Sequence, residues 1–127
     1  METKAWNAGM ALGIPLFDEA HQALAEQVRQ LLDGPDQQIE AGTAMLIEAL
    51  EEDFRMEESL MERIDYPAIR SHREQHARVL AALHGLAPGD IPAARHAVGL
   101  VLPWFELHLA TADTALAIAL TMAQLPP

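Results

Sequence analysis

Residues 38–64 read QIEAGTAMLIEALEEDFRMEESLMERI. Alanine, leucine, glutamate and methionine dominate the stretch, and all are good helix formers. Ile39, Leu46, Leu50, Phe54, Leu60, Met61 and Ile64 recur at the spacings of one helix face. Asp53 and Glu57 fall inside that same stripe, four residues apart, so they share the face. The spacing predicts a long amphipathic helix from about Gln38 to Ile64 that turns carboxylates, as well as apolar side chains, toward its partners.

Comparable stripes lie on either side. One helix is expected to start near Asp18, a cap candidate, and to stop at Asp33-Gly34-Pro35; its face reads His21, Leu24, Ala25, Val28, Leu31, Leu32. A third follows Asp65-Tyr66-Pro67 and ends near Ala87-Pro88-Gly89, with Ile69, His72, His76, Val79, Leu80 and Leu83 on its face. A fourth begins around Pro92, with Asp90 as cap candidate. Its face carries Val98, Val101, Leu102, Phe105, His108, Leu109, Ala112, Asp113, Leu116 and Leu120. Pro103 lies inside it and crowds the carbonyl of Gly99, which predicts a kink or an irregular turn just before the polar residues. Long helices joined by short connections favour antiparallel neighbours. The expected fold is therefore all-α: an antiparallel up-down-up-down four-helix bundle, with residues before Asp18 as an extended N-terminal arm. At 127 residues the chain fits a single domain, residues 1–127.

Composition narrows the function. No cysteine is present, which excludes disulfides, thiolate metal sites, iron–sulfur clusters and thiol catalysis. Nineteen acidic residues against eight basic ones give a formal charge of -11, which argues against nucleic acid or anionic membrane as a partner. Met1 to Trp6 shows no basic region leading into an apolar one, so no secretory peptide is expected. The most apolar stretch, residues 97–122, is broken by Glu106, His108 and Asp113, and is not expected to span a membrane. A cytoplasmic protein is expected.

The ionisable residues decide the chemistry. Every stripe contains His, Asp or Glu: His21, the pair Asp53 and Glu57, the pair His72 and His76, and His108 with Asp113. Each has a bland reading when taken alone. His21 reads as a core histidine, and Asp53 with Glu57 as a solvated edge beside Arg55 and Glu58. Met56 and Met61 read as packing, and His84 and His96 as surface residues. Together they read differently. Burying a carboxylate without a partner costs several kcal/mol, and seven isolated polar groups on inward faces would exceed the stability of a small domain. A shared cation removes the difficulty. Four imidazoles and three carboxylates suit iron, manganese or zinc, and the count exceeds what one ion needs. Two ions bridged by carboxylates would use it.

These residues resemble the hemerythrin family, and the single-domain bacterial hemerythrins in particular. The resemblance rests on Trp6, on Gly13-Ile14-Pro15-Leu16-Phe17-Asp18-Glu19-Ala20-His21, and on Asp53-Phe54-Arg55-Met56-Glu57-Glu58-Ser59-Leu60-Met61. It continues through Tyr66-Pro67, His72-x-x-x-His76 and Trp104-x-x-x-His108-x-x-x-x-Asp113. It implies two non-haem irons, oxo- or hydroxo-bridged, inside the bundle. By position, His72, His76 and His108 would hold one iron, Glu57 and Asp113 would bridge both, and His21 would bind the second. The family's other histidine on the second iron falls where this chain has Asp53. Three outcomes are open there: direct ligation, ligation through a water, or a second site only partly filled. Each works against reversible oxygen carriage, because anionic oxygen favours ferric over ferrous iron. Trp104 and Phe105 are expected beside the open coordination position as walls of the ligand pocket.

The leading expectation is a hemerythrin-like protein that binds or senses dioxygen or a related small ligand. The alternatives are a di-iron oxidase or peroxidase, for which Asp53 is the main argument, and metal storage. A sensor role would require a separate protein partner. Glu-x-x-His and His-Glu-x-x-His are both missing, which disfavours ferritin-like oxidases and zinc proteases.

Overall fold

A computed structural model describes residues 11–123. Four α-helices form first: α1 (Pro15–Asp33), α2 (Ile39–Arg63), α3 (Ile69–His84) and α4 (Ile91–His108). The fourth continues through a π-helical turn, Leu109–Asp113, into α5 (Thr114–Ala123). No strand occurs among the described residues. Consecutive helices pack side by side, α1 on α2, α2 on α3, α3 on α4, and α4 closes back onto α1. This is the all-α four-helix bundle that the stripes and short connections predict. No helix among the described residues is long and apolar enough to cross a membrane.

The helix ends show which local rules operate. α1 begins at Pro15, earlier than the expected start at Asp18. Proline suits a first helical position because its missing N–H has no partner there anyway. Asp18 does not cap the helix from outside. From the first turn its carboxylate reaches back to accept from the Leu12 N–H (2.7 Å) and the Gly13 N–H (3.1 Å). Gly13 has φ +79°, so the entry turn needs a residue without Cβ strain. Most of the expected N-terminal arm, Trp6 included, lies outside the described residues. α2 ends in a Schellman turn: the Tyr66 N–H donates to the Met61 carbonyl and the Asp65 N–H to that of Glu62. Asp65 takes the left-handed position usually given to glycine, with φ +50°. Asp90 caps α4 as expected, accepting from the Ala93 N–H at 3.2 Å. Arg95 on α4 ties down the far end of α1, donating to the carbonyls of Leu32 (2.9 Å) and Gly34 (2.7 Å) and to Asp36 (2.7 Å).

No irregular turn forms at Pro103. The backbone stays α-helical through it. Pro103 is exposed and Gly99 only half-buried, with open space around its Cα, so the ring and the freed carbonyl are accommodated on the outer side. The irregular turn comes later, between His108 and Asp113.

The core divides into two apolar layers. The larger contains Leu24, Val28, Leu46, Leu50, Phe54, Val98 and Phe105. The smaller contains Phe17, Met61, Tyr66, Leu116 and Leu120. Along the helices His21, Glu57, His72, His76 and Asp113 fall between the two, and Asp53 and His108 sit at the adjoining edge of the larger. The bundle therefore encloses a polar seam with hydrocarbon on both sides.

Candidate metal centre

All seven residues are buried, Asp53 being the most exposed at 6% and His21, Glu57 and Asp113 at 0%. They form two groups that share one member. Glu57, His72, His76, His108 and Asp113 bring one donor atom each within 4.8 Å of one another, and so do His21, Asp53 and Glu57. Glu57 divides its two oxygens between the groups. Oε1 lies 3.1 Å from Nε2 of His72 and 3.4 Å from that of His76, whereas Oε2 lies 3.1 Å from Nε2 of His21. Asp113 divides likewise. Its Oδ1 is 2.9 Å from Nε2 of His72 and 3.1 Å from that of His108, and its Oδ2 is 3.8 Å from Nε2 of His21.

The π turn makes Asp113 available. Five residues along a regular α-helix amount to a rotation of about 140° beyond a full turn, which would carry Asp113 off the face of His108. In the wider turn the Thr114 N–H bonds to the Leu109 carbonyl and the Thr114 hydroxyl donates to the same oxygen (2.6 Å). That extra residue per turn returns Asp113 to the inward side. Such turns inside α-helices often accompany functional sites.

Two residues outside the predicted set orient the imidazoles. His76 Nδ1–H donates to Glu58 (3.0 Å), which also accepts from Arg73 (3.1 Å). His108 Nδ1–H donates to Gln75 Oε1 (2.7 Å). With both Nδ1 atoms donating, each Nε2 keeps a lone pair, and the two Nε2 atoms stand 3.2 Å apart. Stacking fixes the ring planes: Phe54 lies on His76 (3.8 Å between centroids) and Trp104 on His108 (4.5 Å). Phe105 instead meets His21 edge-on at 5.2 Å. Trp104 and Phe105, expected together beside one coordination position, thus face opposite groups.

Burial and neighbouring charges act against one another at His21, His72 and Glu57. Burial alone would lower the His21 pKa, but the Asp53 and Glu57 carboxylates push it up to about 10. Burial opposes the charge on His72 too, and Asp113 and Glu57 raise it to about 9. Burial pushes the Asp53 carboxyl up to about 7. Burial would raise Glu57 as well, yet the imidazoles of His21, His72 and His76 hold it well below the usual carboxylate range. Burial and the Asp113 charge raise the Tyr66 phenol.

The donor set fits a metal. Nδ1 of His21 and both oxygens of Asp53 and of Asp113 are buried without a hydrogen-bond partner. Asp113 Oδ1 lies close enough to the His72 and His108 nitrogens, yet outside hydrogen-bonding directions, and Oδ2 has no nitrogen within hydrogen-bonding reach. A cation with nitrogen and oxygen donors at about 2.1 Å sets neighbouring donors about 3 Å apart. Most of the separations within the first group match that spacing. Sulfur is absent, and nitrogen with carboxylate oxygen is the chemistry of iron, manganese and zinc.

Fold and seam together define a class: a helical bundle built around a buried histidine–carboxylate cluster able to hold metal. The chain is 27% identical over 112 residues to Bacteriohemerythrin from Ralstonia nicotianae (strain ATCC BAA-1114 / GMI1000), a match spanning 85% of this chain and 82% of that protein. No protein-family profile matches the chain. It is hemerythrin-like in sequence and carries a cluster of the kind its resemblance implies.

Proposed function

We propose that the protein holds two non-haem irons and binds or senses dioxygen or a related small ligand. The observation that carries this reading is the division of Glu57 and Asp113, each of which turns one oxygen to either group. A carboxylate so placed would bridge two cations. His72, His76 and His108 would complete one position, and His21 with Asp53 the other. When bound, the iron pair supplies redox change and a coordination position for a small ligand. The similarity to a protein named Bacteriohemerythrin supports iron over manganese or zinc.

The chain's own side chains set the surroundings. Phe17 and Phe105 border the His21 ring, Phe54 and Trp104 border His76 and His108, and this aromatic lining keeps bulk water from the seam. Glu58 and Gln75 fix two imidazoles with Nε2 directed inward. Asp53 adds a third carboxylate to the His21 side. That residue supports a second reading, an oxidase- or peroxidase-type di-iron protein, because an additional anionic oxygen stabilises the ferric state.

Elemental analysis of anaerobically purified protein, followed by absorption spectra oxidised, reduced and re-exposed to air, tests both. The ligand-binding reading expects two irons per chain, a ferric spectrum that bleaches on reduction, and a distinct spectrum on admitting air. Direct return to the ferric spectrum with turnover of reductant supports the oxidase reading. A colourless protein with zinc and no redox response refutes both.

A further inference from the structure

The two groups are built unequally. On the His72, His76 and His108 side, two imidazoles are locked through Nδ1 by Glu58 and Gln75, and the polar separations run from 2.9 to 3.4 Å. On the other side His21 Nδ1 has no partner and neither oxygen of Asp53 has one; Asp113, which faces both sides, is likewise unpartnered and does not distinguish them. There His21 Nε2 lies 3.1 Å from the shared Glu57, but 3.5 Å from Asp53 and 3.8 Å from Asp113, so the contact to Asp53 is the loose one within that group. Asp53 also lines a surface cleft of about 330 Å³ between α1 and α2, together with Ala20, Ala23, Ala49 and Met56. None of the other six residues lines this cleft.

Releasing a metal ion requires water to replace its donors in turn. That replacement is easiest where donors lack outer partners, which orient a ligand and hold it in place. It is also easiest where solvent stands nearest. Both conditions coincide at Asp53. We infer that the ion held by His21 and Asp53 is the exchangeable one, entering and leaving through the α1–α2 cleft, while the ion held by His72, His76 and His108 stays in place. This rests on the two-ion reading above. It makes occupancy of the second position, and the redox behaviour that depends on the pair, responsive to the supply of divalent metal.

Cobalt(II) is a suitable probe because it is coloured and stable in air. Full-length protein is loaded with cobalt(II) and mixed with excess EDTA, and loss is followed by visible absorption and elemental analysis. Wild type should lose one equivalent about 10–100-fold faster than the other, the range by which outer partners alter metal affinity. Asp53→Ala should hold one equivalent and release it at the slow rate. Ala49→Leu and Ala23→Leu, conservative fillings of the cleft at half-buried and exposed positions, should slow the fast phase alone. Gln75→Leu should accelerate the slow phase about tenfold or more. Release of both equivalents at one rate overturns the inference. So does a fast phase indifferent to both cleft fillings, or one that survives in Asp53→Ala. Uptake of only one equivalent at saturating cobalt defeats the two-ion reading itself, before any rate is measured.

Discussion

Asp53→His exchanges a buried anion for a neutral imidazole at the position where the hemerythrin family has histidine. The Asp53 carboxylate lies 3.5 Å from His21 Nε2, and this sets the length scale on which it acts on a neighbouring charge. At an effective dielectric of about 20, one unit of charge at that distance contributes about 5 kcal/mol. For one electron that corresponds to about 200 mV. The imidazole donates a lone pair of its own and returns part of the effect, so a rise of about 100–200 mV in the iron potential is expected. A higher potential favours ferrous iron, and the reduced protein should survive correspondingly longer in air. The assay is a potentiometric titration followed by absorption, with decay of the reduced form in air measured separately and iron counted in both proteins. Two irons in each, with equal potentials and equal lifetimes, would refute the reasoning, since Asp53 would then exert no field on the pair.

Three further outcomes are expected. His76→Ala removes a ring stacked on Phe54, leaves Glu58 without its imidazole and takes one of three from Glu57; the variant should lose metal and about 3 kcal/mol of stability, read from metal analysis and urea melts. Metal uptake should release between two and three protons per chain at neutral pH, because His21 and His72, raised to about 10 and about 9, are protonated before ligation and neutral after it, and Asp53, raised to about 7, is partly protonated before it. Apparent affinity then weakens as pH falls and levels off above about 10, which indicator titration in weak buffer would record. Arg95→Ala deletes the three hydrogen bonds that secure the end of α1 and should lower stability by about 1–2 kcal/mol in thermal melts; Arg95→Lys should recover little, lacking the forked geometry.

Much of the fold was legible because helix period and polar placement were written in the same residues. Phe54 beside Asp53, and Leu109 beside His108, reveal both the face and the intrusion upon it. The cap at Asp90 was legible for a similar reason: its signal is local. Features that depend on the packed bundle were hidden. Leu109-Ala110-Thr111-Ala112-Asp113 has no composition that distinguishes a π turn from an α turn, and only the need to place His108 and Leu116 on one side decides it. Glu58 and Gln75 resemble any polar residues on an outer helix face, and only the ring orientations of His76 and His108 give them a role. Trp104 and Phe105 are adjacent in sequence and therefore about 100° apart around the helix, which sends them to different groups. At the start of α1 the signal was present and outweighed: Pro15 marks a first helical position more strongly than Asp18 marks a cap.

The widened turn after His108 behaves as a single residue spliced into a regular coil. Ala110 and Thr111 are exposed, so their identities are almost free. Their number is free in one direction only. Removing one closes the turn to regular α-helix, and Asp113, then four residues after His108, stays on its face. Adding one without a further wide turn rotates everything downstream by about 100°. Leu116 and Leu120 would then swing out to water, and the aspartate would leave its imidazole neighbours. At this point the chain tolerates changes of spelling and a shortening by one residue but forbids a lengthening, a constraint that falls on two side chains in contact with none of the chemistry they preserve.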